Sequence, residues 1–134
     1  MKAITNNLAR DTNELRTYGI RSIGINSNDA EQYPEDDFSH MVEISNTEQF
    51  SFPYLWDEDQ SVAKRYDALC TPDFFGFNKN LELQYRGRFR ELKDLKPIKK
   101  GDSDLKIAMQ LITKTGKGPS NQIPSMGCNI KWFK

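Results

Sequence analysis

Leu69-Cys70-Thr71-Pro72-Asp73-Phe74-Phe75-Gly76-Phe77 is the stretch from which the fold is read. Its three phenylalanines make an aromatic strand. A proline entering that strand donates no ladder hydrogen bond, so Pro72 belongs at an edge or in a special turn, and a cis Thr71–Pro72 peptide would meet that need. The turn Asn78-Lys79-Asn80 and the run Leu81-Glu82-Leu83-Gln84-Tyr85 then complete an antiparallel hairpin.

Upstream, helices and strands alternate. Ile4, Leu8, Leu15 and Tyr18 recur at helical spacing, which predicts an amphipathic helix stopped at Gly19. Ile20, Ile23 and Ile25 follow as a short β-branched strand ending in Asn26-Ser27-Asn28-Asp29. Pro34 with Glu35, Asp36 and Asp37 reads as the start of a second helix carrying Phe38, Met41, Val42 and Ile44. Phe52 to Trp56 is an aromatic strand, and Asp57-Glu58-Asp59-Gln60 caps a helix with Val62, Ala63 and Tyr66.

Downstream of the hairpin, a basic stretch from Arg86 to Lys100 leads to Ser103 or Asp102. Either can cap a last helix bearing Leu105, Ala108, Met109, Leu111 and Ile112, closed by Gly116. Ile130, Trp132 and Phe133 in the tail are expected to pack back on the body. Alternating strands and helices imply a parallel sheet with crossovers, and the late hairpin adds antiparallel strands. The class predicted is a single three-layer α/β/α domain over residues 1–134 with a mixed sheet.

Nineteen basic residues balance nineteen acidic ones, so no global field draws the chain to nucleic acid or an anionic membrane. No apolar run approaches the roughly 20 residues a spanning helix needs, and the first residues lack a signal-peptide hydrophobic region. A cytoplasmic location is therefore expected. Cys70 and Cys128 are the two cysteines, too few and too far apart for a disulfide framework. The lone histidine, His40, reads as a surface residue, and the acidic runs at 35–37 and 57–59 read as helix starts. No metal or cofactor is implied. Arg86, Arg88 and Arg90 alternate at strand period, and a basic face neutralised by nearby acids is expected there.

Several of these runs together resemble the alkyl hydroperoxide reductase and thiol-specific antioxidant family. They are Ile25-Asn26-Ser27-Asn28-Asp29, Tyr33-Pro34-Glu35-Asp36, Phe52-Pro53-Tyr54-Leu55-Trp56-Asp57-Glu58 and Val62-Ala63 with Tyr66. Cys70-Thr71-Pro72-Asp73-Phe74-Phe75-Gly76-Phe77, Leu83 to Arg88 and Ser125-Met126-Gly127-Cys128-Asn129-Ile130-Lys131-Trp132 resemble its thioredoxin-like branch. The resemblance implies a thioredoxin-like fold and a thiol-dependent oxidoreductase acting on peroxides or protein disulfides, recycled by a thiol reductant such as a thioredoxin-like protein. A homodimer is compatible with it.

In that branch a Cys-x-x-Cys-Pro segment heads the first helix, where the helix dipole and free amides stabilise a thiolate. Lys2-Ala3-Ile4 resemble the turn just after that segment, so the chain is expected to be N-terminally incomplete, lacking the first strand and the redox cysteines. The resemblance makes Thr71 and Pro72 substrate-binding, with Pro72 presenting backbone to a partner. Cys70 and Cys128 are candidate auxiliary or resolving thiols; the plainer reading makes Cys70 a buried small residue and Cys128 a packed tail thiol. A disulfide between them is left open by the sequence. The rival reading is a non-catalytic thioredoxin-like module that recruits a strand at an incomplete sheet edge. Catalysis confined to Cys70 and Cys128 is a third.

Overall fold

A computed structural model describes residues 2–93, 96–97 and 101–134, with the side chains of residues 2–4, 6, 92–93 and 96–97 left aside. Helix α1 spans Lys2–Thr17, starting two residues before the expected Ile4; the side chain of Ile4 lies outside the description. Leu8 and Leu15 are buried as their spacing predicts, and Tyr18 is exposed. Gly19 ends the helix with φ 83°, and the Ile20 amide turns back to the Leu15 carbonyl at 3.1 Å.

Strand β1 is Gly24–Asn26, shorter than the isoleucine run suggests, and pairs in parallel with β2, Tyr54–Trp56. Pro34 does not open the second helix. It opens a separate 3-10 turn, Pro34–Asp36, and α2 runs Phe38–Thr47 from an Asp37 cap whose carboxylate accepts from the His40 amide at 2.9 Å. Of the four apolar residues assigned to α2, Met41 is buried, whereas Phe38 and Val42 are exposed.

Helix α3, Ser61–Arg65, starts from the expected acidic cap: buried Asp57 accepts from the Val62 and Ala63 amides at 3.2 and 3.0 Å. The two-residue β3, Cys70–Thr71, precedes the hairpin of β4, Phe74–Phe77, and β5, Leu83–Gly87. Leu81, expected in β5, sits in the turn with φ 61°. Strands β6, Leu92–Lys93, and β7, Lys96–Pro97, pair antiparallel; residues 94–95 and 98–100 of the basic stretch lie outside the described residues. Helix α4 is Asp104–Thr115, capped by Ser103 through the Lys106 amide at 3.0 Å and ended by Gly116 at φ 77°. Strand β8, Cys128–Asn129, pairs antiparallel with β3.

The core gathers Leu8 and Leu15 of α1, Tyr85 of β5, Phe89, and Leu105, Ala108, Met109 and Ile112 of α4. Burying side chains of this size contributes roughly 1.5–3 kcal/mol each. A polar seam crosses the same helix pair: fully buried Ser103 donates to Asp11 at 2.7 Å, Arg90 lies 3.9 Å from Asp11, and Lys106 bonds Glu14 and Asp102.

The architecture is mixed α/β, as expected, but among the described residues the strands form four two-stranded sheets. Among the described residues β1 pairs only with β2, and β4 only with β5. No helix of the described residues is long and apolar enough to cross a membrane.

Candidate functional site

The segment entering β4 and the C-terminal tail meet at one place. The Thr71–Pro72 peptide is cis, the conformation its setting called for. Asp73 follows with its side chain nearly buried, 3.6 Å from Arg86. Ser125 shares its one hydroxyl proton between Asp73 Oδ1 at 2.9 Å and the Gly87 carbonyl at 2.7 Å, so the start of the tail is tied to the segment entering β4 and to the end of β5.

The β3–β8 register sets Thr71 opposite Cys128 and Cys70 opposite Asn129. Pro72 has no N–H, so the Thr71–Cys128 pair must be the kind in which two residues exchange both backbone bonds. The Ile130 amide to the Leu69 carbonyl, 3.1 Å and two residues along, is in phase with that assignment. Thr71 Oγ1 adds a long 3.4 Å bond to the Cys128 carbonyl.

This register corrects the idea of a Cys70–Cys128 disulfide. Residues directly opposite on antiparallel strands share a face, and neighbours along a strand alternate, so the two thiols point to opposite faces of the ladder. Both cysteines are free. Cys70 is half-buried, its sulfur 3.9 Å from the Pro72 carbonyl oxygen and 3.8 Å from that of Ser125; Cys128 is exposed.

The tail is fastened to the body, as expected for Ile130. Ile130 is buried. The Asp29 amide donates to the Lys131 carbonyl at 2.8 Å, and the Lys131 amide donates to Asn28 Oδ1 at 2.9 Å. The side chain of Gln60 is 1% exposed and completes the attachment. It donates to the Ser27 and Lys131 carbonyls at 2.8 and 3.0 Å and accepts from the Phe133 amide at 3.1 Å. Trp132 is half-buried, and Phe133 is exposed.

The basic residues after the hairpin are neutralised as expected: Arg86 faces Asp73, Arg88 bonds Asp104 at 2.6 Å, and Arg90 lies by Asp11. His40 is a surface residue 2.7 Å from Asp37, whose carboxylate raises its pKa. A hollow of about 460 Å³ opens elsewhere, lined by Ile25, Leu55, Trp56 and Val62 with the carboxylates of residues 57–59, and no thiol lines it.

Asp73 and Ser125 are site residues to which sequence reasoning gave no role. A carboxylate directly after an X-Pro bond was the available signal for the first; for the second there was none, because its partners are 52 and 38 residues away.

A cis-proline segment leading into a hairpin, with one thiol beneath it and another on the strand alongside, has the form of a thioredoxin-type redox protein. The AhpC/TSA family model matches residues 2–87, and the chain belongs to that family. Two solved structures share its thioredoxin-like fold. An uncharacterised conserved protein from Geobacillus kaustophilus is 40% identical with a TM-score of 0.91, covering 98% of this chain and 70% of its own. A hypothetical protein from Sinorhizobium meliloti 1021 is 36% identical with a TM-score of 0.88, covering 98% and 72%. No curated protein matches the chain.

Proposed function

We infer that the chain is the scaffold of a thiol-dependent oxidoreductase that reduces peroxides or protein disulfides. The observation that carries this reading is the meeting of Cys70, Thr71, Pro72 and Cys128 in a chain of the AhpC/TSA family. Thr71 and Pro72 offer backbone to the partner, and Cys70 and Cys128 serve as auxiliary or resolving thiols beside the family's Cys-x-x-Cys pair, which by resemblance would precede Lys2.

In this chemistry a thiolate attacks the peroxide oxygen, giving a sulfenic acid and releasing water or an alcohol. A second thiol condenses with the sulfenic acid to a disulfide and releases water. A thiol reductant such as a thioredoxin-like protein then reduces that disulfide by exchange. The reading needs neither metal nor cofactor and suits a reducing cytoplasm.

The test is made on the native protein from its source. Its thiols are alkylated and counted, and its consumption of hydrogen peroxide and an organic hydroperoxide is followed with a dithiol reductant. More than two reactive thiols with reductant-dependent peroxide loss, or reduction of a protein disulfide, supports the reading. Two thiols and no turnover of any of these substrates sinks it.

A second reading, a non-catalytic module that recruits a strand, is favoured by one observation: among the described residues β1 and β4 each have a single strand partner. It predicts the inactive outcome together with capture of an added strand.

A further inference from the structure

The tail is held unevenly. Ser125 is tied at one end, and Ile130, Lys131 and Phe133 at the other. Between them Met126 is 93% exposed, and Gly127, Cys128 and Asn129 are exposed as well. This arch is held at its centre by the Thr71–Cys128 backbone pair and the long Thr71 hydroxyl bond. It also runs so close that a Cβ on Gly127 would lie 2.0 Å from the Thr71 carbonyl oxygen.

Segments with few buried contacts and solvent-exposed backbone bonds open locally without global unfolding. The arch has both properties, whereas its two ends are buried or bonded several times over. What it covers matters more. The N–H and C=O of Thr71 are the groups an extended segment needs in order to add to this edge, and Cys128 occupies both.

We propose that residues 126–129 are a displaceable internal occupant of the cis-proline edge, and that they lift to let an extended, cysteine-bearing segment of a protein disulfide partner pair with Thr71. The proposal rests on the redox reading above for the identity of the partner, but the arch itself stands on the geometry. The register puts Cys128 where a partner's residue would sit, with its side chain on the Thr71 face of the ladder. Access to the edge then depends on the fraction of molecules with the arch open, because apparent affinity falls by that fraction.

Two measurements test this on the full chain. In the wild type, amide hydrogen exchange at Thr71 and Cys128 is expected to share one rate, at least about tenfold faster than at Ile130, Lys131 and Phe133. Exchange of arch and anchors at a common rate overturns the proposal. The second uses Gly127→Ala, whose methyl group cannot fit against Thr71, and a labelled peptide of residues 125–133 carrying Cys128→Ser. If the arch is open in at most about a tenth of molecules, the variant binds this peptide at least about tenfold more tightly than the wild type. Equal binding, or binding to neither, overturns the proposal. The wild-type exchange experiment decides the matter if the variant does not fold. Absence of redox turnover in the native protein would remove the oxidoreductase reading and leave these two results standing, so the two failures are distinguishable.

Discussion

Replacing Gln60 by alanine tests how the tail is fastened. The residue has φ 64°, in the left-handed region, and alanine retains that backbone cost, so the change reports the side-chain amide. Three hydrogen bonds go with it, to Ser27, Lys131 and Phe133. Each contributes about 1 kcal/mol net. The Lys131 carbonyl keeps its bond from the Asp29 amide, which lowers the sum to about 2–3 kcal/mol. With a urea dependence of roughly 1–3 kcal/mol per molar, the unfolding midpoint falls by about 1–2 M.

Because the lost bonds tie the tail, hydrogen exchange at Phe133 should rise by more than at the end of α4, where the Gly116 cap amide bonds the Ile112 carbonyl at 2.7 Å. Gln60→Gly removes the same amide but relieves the left-handed backbone, so it should recover about 1 kcal/mol relative to alanine. A midpoint shift below about 0.3 M for Gln60→Ala, or an equal rise of exchange in the tail and α4, would refute the assignment.

Four further outcomes rest on other contacts of the fold. Ser103→Ala removes the α4 cap and one hydrogen bond to buried Asp11, and should cost about 2–3 kcal/mol in urea unfolding. His40 is the lone histidine, so its NMR titration is resolved directly; its pKa should lie above the ordinary 6.5 and return toward it in Asp37→Asn. The His40 contribution to the start of α2 is therefore complete below about pH 6.5 and lost as pH rises through the folded value, whereas that of Asp37, whose pKa is lowered, is lost on acidification. Burial pushes Tyr85 up to about 12 and raises Tyr54 as well, so phenol absorbance should show two tyrosines titrating later than the rest, and stability should fall as pH climbs above 10. Alkylation of the folded chain should modify exposed Cys128 before half-buried Cys70, and a mild oxidant should leave no internal Cys70–Cys128 disulfide.

Periodicity and caps carried much of the fold. Leu8 and Leu15, the α4 face of Leu105, Ala108, Met109 and Ile112, and the stops at Gly19 and Gly116 all lie where spacing and turn chemistry put them. The misreadings have local causes. Pro34 and Asp37 are both helix-start residues three apart; the proline took the 3-10 turn and the aspartate took the helix. The isoleucine run read as a longer strand than β1 because β propensity records fit to a half-buried surface, and Ile23, just outside β1, is exposed. The site was legible where it is local, at Cys70-Thr71-Pro72, and illegible where it depends on partners distant in sequence. Nothing near Gln60 signals that its amide will meet Lys131, 71 residues on.

The tail offers a closer test of what is structural and what is left for chemistry. In the stretch from Ser125 to Trp132, Ser125 joins the segment entering β4 to the end of β5, and Gly127 allows a backbone approach that no larger residue permits. Ile130 fills a buried position, and Lys131 bonds the loop after β1 and sets its ammonium 5.6 Å from the Tyr33 ring centroid. Packing therefore accounts for these four residues. It does not account for Cys128, whose backbone is used in the pair with Thr71 while its thiol is exposed. Any small residue would serve the ladder equally well. Met126 and Asn129 are exposed as well, but of these three side chains the thiol is the nucleophile, and it projects on the same face as Thr71, beside the edge proposed above to receive a partner. A Cys128→Ser chain should accordingly keep its unfolding free energy within about 0.5 kcal/mol, as is typical of surface changes. On the redox reading proposed above, it should also slow the condensation of the sulfenic acid to a disulfide in the native protein. A midpoint loss as large as that expected for Gln60→Ala would return Cys128 to the packed tail thiol of the plainer reading.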